Sequence, residues 1–258
     1  MKYAFITGAT GDIGFAITER LAEDGFEPIL LSRTPERLDS AIDKLRNKYG
    51  SQFAKKIVCD VSNHEDVKKA FDQLELEDNK LAVLVNCAGI SGGGITAEIS
   101  PRTWQNVINI NLNGTYFVIH EVLKRKLMSS GGRIINIAST GGKQGVIHGA
   151  PYSASKHGVV GLTKSLGLEL ARNGSGVTVN AVCPGFVESE MAERVREHYA
   201  RIWGTDVAEA KRRVEERVPI GRYVEPNEVA EMVAYLASPL AGAVTAQALN
   251  VCGGLGNY

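Results

Sequence analysis

Short apolar runs alternate with amphipathic segments from one end of the chain to the other, and that rhythm decides what it can fold into. The runs fall at 3–7, 28–32, 56–60, 81–86, 132–138, 177–183 and 248–252. Between them, helical periodicity covers 13–24, 35–48, 63–77, 101–128, 151–173 and 226–237. A strand that is apolar throughout cannot leave one face in water. Such strands, separated by helices, predict a parallel sheet covered on both faces, an α/β architecture. A hydrophobic content of 44% with 28 glycines suits that sheet, whose connections need many tight turns. No repeat, linker or low-complexity stretch divides the 258 residues, and the chain reads as one large domain over 1–258.

Lysine plus arginine and aspartate plus glutamate both number 29, so no net field selects nucleic acid or an anionic membrane. No apolar stretch approaches the roughly 18 residues of a membrane span. The amino terminus runs straight into a glycine motif with no cleavage region. The expectation is a soluble, cytoplasmic protein. Cys59, Cys87, Cys183 and Cys252 are scattered in or beside apolar runs with no Cys-x-x-Cys pair, which predicts buried, reduced, structural thiols. The five histidines show no ligand spacing, so no metal is expected.

One segment breaks the alternation. At about 186–218 the chain is highly charged and helix-prone, with Phe186, Met191, Tyr199, Ile202 and Trp203 as isolated large apolar residues. It reads either as a solvated helical insertion or, preferably, as a mobile lid whose aromatics face a substrate cleft.

The first apolar run ends in Thr7-Gly8-Ala9-Thr10-Gly11-Asp12-Ile13-Gly14, and a helix follows. That strand–glycine turn–helix context lets backbone N–H groups and a helix N-terminus meet a pyrophosphate. Arg33 stands just past the second run, and 30–35 holds no carboxylate. Readers of an unphosphorylated ribose carry an acid at this place, whereas a cation pairs with a 2′-phosphate, so NADPH is the expected cofactor. Asp60, followed by Val61, is placed either to touch the adenine or to cap the next helix.

Tyr152 and Lys156 are four residues apart in a helical stretch, thirteen residues beyond Ser139. Positions i and i+4 share a helix face. A cation there favours the phenolate and draws the tyrosine pKa toward neutrality. A nearby Ser139 hydroxyl can hold a carbonyl oxygen while Tyr152 gives it a proton, which is general acid chemistry suited to ketone reduction. Taken alone, the pair also fits an ordinary helix surface.

The glycine turn, Asn86-Cys87-Ala88-Gly89, Asn111, Ser139, Tyr152-x-x-x-Lys156 and Pro184-Gly185 together resemble the short-chain dehydrogenase/reductases over essentially the whole chain. The resemblance implies a doubly wound (Rossmann) domain with a seven-stranded parallel sheet and a catalytic tetrad of Asn111, Ser139, Tyr152 and Lys156. It implies cofactor contacts from Gly8, Thr10, Gly11, Asp12, Ile13 and Gly14 in the turn, and from Arg33, Asp60, Val61, Asn86 and Gly89. Tyr152, Lys156, Pro184, Gly185 and Val187 complete that set. Lys156 would hold the nicotinamide ribose, and Asn111 would hold a water that relays protons to it. Two positions depart from the family pattern. Asp12 takes the place of the second turn glycine, with Gly11 before it, and Cys87 replaces an asparagine.

Runs outside these motifs, including 195–199, 217–223 and 246–258, resemble the ketoreductases of bacterial type II (aromatic) polyketide synthases. That likeness implies a poly-β-ketone on an acyl carrier protein, reduced at one internal ketone, typically C9 counted from the thioester. Ser91, Gly92 and Gly93 fall at the motif that selects the face of attack, where the family's best-known pattern has proline first. Gln144, Val146, Tyr199 and Trp203 fall at pocket positions. Arg33, Arg194, Arg196, Arg201 and Arg222 are candidates to steer an acidic carrier protein. The family also implies a homotetramer built on the helices at 101–128 and 151–173 and on the carboxyl tail. Two rival readings are the 3-oxoacyl-acyl-carrier-protein reductase of fatty acid synthesis and a non-catalytic NADP-binding sensor.

Overall fold

The computed structural model describes residues 2–50, 53–76 and 80–256. Its strands are β1 (Tyr3–Thr7), β2 (Glu27–Ser32), β3 (Lys55–Val58), β4 (Leu81–Asn86), β5 (Met128–Ile137), β6 (Thr178–Pro184) and β7 (Ala248–Val251). They form one seven-stranded sheet in the order β3-β2-β1-β4-β5-β6-β7, and every pairing is parallel. The order reverses between β1 and β4, which opens a crevice at the carboxyl ends of those strands.

The apolar runs are continuous because both faces are covered. Ile6, Leu30, Val83, Val85, Ile135 and Val182 belong to one core, packed under α1 (Asp12–Glu23), α2 (Pro35–Tyr49) and α9 (Pro226–Ala237). Their neighbours Phe5, Ile29, Leu84, Ile134 and Val179 belong to the other. That second core lies under α3 (His64–Asp72), α5 (Gly114–Lys124) and α6 (Ala150–Arg172). Alternation along each strand thus sends successive side chains into two separate cores.

The helix expected at 101–128 is three elements. Helix α4 (Pro101–Ile108) passes through a wider π turn at Asn109–Asn113 into α5, which stops at Lys124. Lys126 adopts a left-handed φ of 57°, and Leu127 N–H returns to the Val122 carbonyl at 2.9 Å. This closure ends the helix and turns the chain into β5, a Schellman-type stop with lysine where glycine is usual. The helix expected at 63–77 is α3, nine residues long; its expected last residue, 77, lies outside the described residues. Asn63 caps it, accepting from the N–H groups of Glu65 and Asp66.

The inserted segment forms α7 (Glu190–Trp203) and α8 (Val207–Glu215). Ser189 caps α7, Gly204 ends it with a left-handed φ of 63°, and Asp206 caps α8. The pair has a small core of its own, in which Ala192, Tyr199, Ala200, Ala210, Val214 and Tyr223 are buried. Backbone bonds from Glu188 to Val224 (2.9 Å) and from Val224 to Phe186 (2.8 Å) fasten the insertion at its root. Among the described residues, no helix is long and apolar enough to cross a membrane.

Candidate active site

The site grows from the strand ends. At the tip of β1, Thr7 Oγ1 accepts the N–H groups of both Cys87 and Ala88 at 3.1 Å, which staples β1 to the end of β4. Gly8 then turns with φ 65°, and a methyl there would stand 2.7 Å from Ala88 Cα. A methyl on Gly14 would stand 2.1 Å from the Gly8 carbonyl oxygen. The turn therefore needs glycine at both places to close this tightly. Thr10 anchors it to β2 through Ser32 Oγ at 2.8 Å, and Ile13 packs on the core below. Gly11 caps α1 with no side-chain hydrogen bond, so the first-turn N–H groups of α1 face the crevice as donors. Donors at a positive helix end, set on a tight glycine turn, fit a dinucleotide's diphosphate.

The other expected cofactor residues ring the same crevice with distinct local duties. Arg33 is exposed beyond β2. Asp60 accepts from Ser62 N–H at 2.9 Å and Ser62 Oγ at 2.8 Å, an Asx turn that leaves the capping of α3 to Asn63. Val61 is buried against Gly114, where a methyl would stand 2.8 Å from Val61 Cγ2. Asn86 donates to Asn136 at 2.9 Å, while its own buried Oδ1 has no partner among the described residues. Pro184 ends β6, Gly185 N–H bonds Val251, and Val187 is buried in the dinucleotide-side core.

Asn111 sits in the π turn, and the wider turn brings its amide to the loop after β4. Its Oδ1 accepts from Ile90 N–H at 2.8 Å, while Nδ2 donates to the Ile90 carbonyl at 3.0 Å and to Ser155 Oγ at 3.0 Å. Through these bonds the side chain pins the post-β4 loop to α6. Gly89 lies at the meeting point, with its missing methyl 3.3 Å from Asn111 Oδ1 and 3.5 Å from Lys156 Nζ.

Ser139 ends β5's extension in fully extended backbone and accepts from Gly141 N–H at 3.0 Å. It also lies beside Tyr152 on the first turn of α6, where its hydroxyl favours the phenolate. A methyl on Gly141 would stand 2.9 Å from Val146 Cγ2, 3.3 Å from Tyr152 Cε1 and 3.4 Å from Ser139 Oγ, so these three side chains enclose one small space. Lys156, one turn along α6, donates to the Ile137 carbonyl at 2.8 Å, with its ammonium 5.9 Å from the centre of the Tyr152 ring.

This geometry corrects the expected electrostatics. Burial raises the Tyr152 pKa, the Ser139 hydroxyl opposes it in part, and Lys156 is turned to backbone rather than to the phenol. Burial lowers Lys156 to about 8. A phenol that keeps its proton at neutral pH is loaded to give that proton away. Cys183 and Cys87 lie beside this lysine; burial holds Cys87 up at about 12, an inert thiol. All four cysteines are free, with Cys87 partly rather than fully buried.

The expected substrate residues divide. Gly92 and Gly93 have no room for a side chain: a methyl on Gly92 would stand 2.4 Å from Val107 Cγ2, and one on Gly93 would stand 1.9 Å from the His148 carbonyl oxygen. The Ser91–Gly94 loop thus lies against the entry to α6, and Gln144 and Val146 lie in the connection that leads into that helix. Tyr199 and Trp203 differ from the expectation of rings open to a cleft. They stack on each other at 4.7 Å, and Tyr199 is buried in the lid's own core. An insertion this small has to bury something to hold its shape, and these are its largest apolar groups.

Two of the candidate steering cations are likewise engaged. Arg196 is buried, paired with Glu188 at 2.6 Å and lying over the Tyr223 ring. Arg222 grips Glu228 through two bonds. Arg33, Arg194 and Arg201 are exposed.

Several contributors carry little signal in sequence. Ser155 and the Ile137 carbonyl are found only through their partners, and Gly142 is required because a methyl there would meet the Lys156 carbonyl oxygen at 2.6 Å. Away from the site, the fold gathers His64, His120 and Glu121, whose ligand-type atoms lie within 4.8 Å of one another despite their wide sequence spacing. Glu121 there is already bonded to Arg125 at 2.9 Å and His64 at 3.1 Å.

Comparison with known proteins agrees with this geometry. A family model described as enoyl-(acyl carrier protein) reductase matches residues 8–256. "Granaticin polyketide synthase putative ketoacyl reductase 1" of Streptomyces violaceoruber is 55% identical over 99% of this chain and 93% of its own length. A 3-oxoacyl-acyl-carrier-protein reductase of Aquifex aeolicus is 36% identical over 98% of this chain and 97% of its own. A crystal structure of an actinorhodin polyketide ketoreductase variant with NADPH superposes with a TM-score of 0.91 at 52% identity. It covers 100% of this chain and 98% of that one. With its strand order, glycine turn and Ser139, Tyr152 and Lys156 in one cradle, this chain belongs to the short-chain dehydrogenase/reductase family.

Proposed function

We propose that this protein is an NADPH-dependent ketoreductase that reduces one internal ketone, at C9 counted from the thioester, of an aromatic polyketide chain held on an acyl carrier protein. The observation that carries the reading is the cradle in which Ser139 Oγ and the Tyr152 ring flank Gly141, with Lys156 one turn along α6, at the carboxyl ends of β4 and β5. Its likeness to polyketide reductases, closer than its likeness to the fatty-acid reductase, supports the substrate class.

A bound reduced nicotinamide supplies the hydride. The two hydroxyls, Ser139 Oγ and Tyr152 Oη, hold the ketone oxygen as negative charge develops on it. Tyr152 then gives its proton, and the Lys156 ammonium in the same buried pocket stabilises the phenolate left behind. Asn111 holds the Ile90 backbone and Ser155 in place, which fixes the wall opposite Tyr152. Val146 and the Ser91–Gly93 loop border the space in which the ketone lies. Arg33 would hold the 2′-phosphate that distinguishes NADPH, and the exposed Arg194 and Arg201 would meet the acidic carrier. The working unit is a cytoplasmic homotetramer, with the exposed Tyr116 of α5 and Leu168 of α6 on covered faces.

The test is NADPH oxidation by the purified protein with a fused bicyclic ketone, a linear acetoacetyl thioester and a crotonyl thioester. Turnover confined mainly to the bicyclic ketone is the expected result. Preference for acetoacetyl thioester would assign the chain to fatty acid synthesis, the second reading that its 36% identity to the Aquifex reductase favours. Preference for crotonyl thioester would overturn carbonyl reduction altogether.

A further inference from the structure

Asp12 stands in the glycine turn, where the short-chain dehydrogenase/reductases usually carry glycine, and its carboxylate reaches away from the turn. Asp12 is the first residue of α1, and its Oδ2 accepts the backbone N–H of Glu190 at 2.8 Å. Glu190 is the first residue of α7, so the two partners are 178 residues apart. The Glu190 side chain in turn takes Arg37 of α2 through both oxygens, at 2.8 and 2.9 Å. Arg37 has its pKa raised by Glu190 first and by the charge of Asp12 last. One carboxylate therefore lies between the positive ends of two helices, α1 of the dinucleotide half and α7 of the lid. Among the described residues, these are the hydrogen bonds that join α7 to the dinucleotide half; the lid's other ties lie at its root.

We infer that Asp12 is a positioning residue that fastens the first turn of the lid to the cofactor turn. The carboxylate satisfies an N–H of α7 that Ser189 leaves free, since the Ser189 hydroxyl caps Ala192 at 3.1 Å. It also places a negative charge at the helix end that a diphosphate uses, and like charges at one helix end oppose each other. The same carboxylate thus ties the first turn of the lid and opposes an anionic cofactor at the end of α1. The inference rests on the reading of the turn as the NADPH site, but its first test uses the cofactor-free protein and stands without it.

Hydrogen exchange at Glu190 and Met191 in the cofactor-free protein is measured for wild type, Asp12→Ala and Asp12→Asn. Loss of a cap of this kind is expected to speed exchange about tenfold in Asp12→Ala. The asparagine variant keeps an acceptor oxygen without the charge, so it retains the protection. Unchanged exchange in Asp12→Ala would overturn the tie. NADPH affinity is then read by fluorescence titration. Asp12→Asn is expected to bind about threefold tighter, since one opposing charge is gone. Equal or weaker binding would overturn the opposition of charges while leaving the tie in place.

Discussion

In the cradle at the ends of β4 and β5, side chains are anchored to main chain or to one another deep in the fold. Asn111 holds Ile90, Lys156 holds Ile137, Ser139 holds Gly141, and Asn86 and Asn136 bridge neighbouring strands. The lid is assembled differently. Its stacked Tyr199 and Trp203, its Glu188–Arg196 pair and its helix caps are contacts among its own residues, with the Asp12 tie reaching outside. A cradle that borrows the rigidity of the sheet can hold reacting groups to fractions of an ångström. An insertion that carries its own small core is held by its own contacts rather than by the sheet.

The comparison breaks most sharply at Tyr152. Removing the phenol oxygen in Tyr152→Phe takes away the proton donor without disturbing the packing around it. Turnover is expected to fall about a thousandfold, within the range of general acid catalysis. NADPH affinity, read by fluorescence titration, stays within about twofold, because this change removes no charge and no backbone donor. A large loss of affinity would mean that the cradle and the cofactor turn act as one unit rather than two.

Gly93 tests how little slack the cradle has. A methyl there would stand 1.9 Å from the His148 carbonyl oxygen, a backbone atom that cannot swing aside. Gly93→Ala is expected to lower stability by about 2 kcal/mol, the cost of overpacking a close contact. A urea melt measures this. A native-like melt would show that the loop after β4 gives way as readily as the lid.

These residues also show where the sequence was readable. The sheet, the glycine turn and the Tyr152–Lys156 pair depend on local period and spacing, and each stands where those predict. The π turn at Asn109–Asn113 left no such trace, because its cause is Asn111 reaching Ile90 and Ser155 in other elements. The environment of Lys156 was hidden for the same reason: i and i+4 spacing brings it to the face of Tyr152, but the free Ile137 carbonyl captures its ammonium. The fate of the lid aromatics and of Arg196 depended on whether the insertion packs on itself, a tertiary choice that charge and periodicity leave open. Asp12 was visible as an oddity in the turn, and its partner lay 178 residues away.

Lys156 gives the cradle a pH signature opposite in sign to that of the lid core's Tyr199 and Tyr223, whose pKa values burial raises. Its pKa falls to about 8 in the fold from 10.5. Between those values the unfolded chain binds more protons than the native one, so stability rises with pH through that window. Below pH 8 the cost of burying the ammonium is fully present. The gain between pH 8 and 9.5 is expected to be about 2 kcal/mol by linkage. Tyr152 and the thiols of Cys59 and Cys87, with raised pKa values, pull the other way at higher pH. The measurement is therefore the difference between wild type and Lys156→Met in urea melts at pH 8 and 9.5. Parallel stabilities across that range would mean that the ammonium is better solvated than its burial implies.

The smallest effects separate two arginines that look alike in sequence. Arg196 is almost fully buried, bonded to Glu188 and stacked over Tyr223 in the lid core. Arg196→Met keeps much of the aliphatic packing and loses the charge pair, but Glu188 retains Lys211 at 3.0 Å. The expected loss is therefore modest, about 1 kcal/mol, well below the cost of stranding a buried charge. Arg222 pairs with Glu228 at the surface, where both side chains stay in water. Arg222→Met is expected to leave the melting temperature unchanged, since exposed pairs of this kind contribute little. If Arg222→Met instead raises KM for the carrier-bound substrate, and added salt removes that difference, the ion pair opens to meet the carrier. Arg222 would then belong to a docking surface beside the lid, while Arg196 holds the lid together.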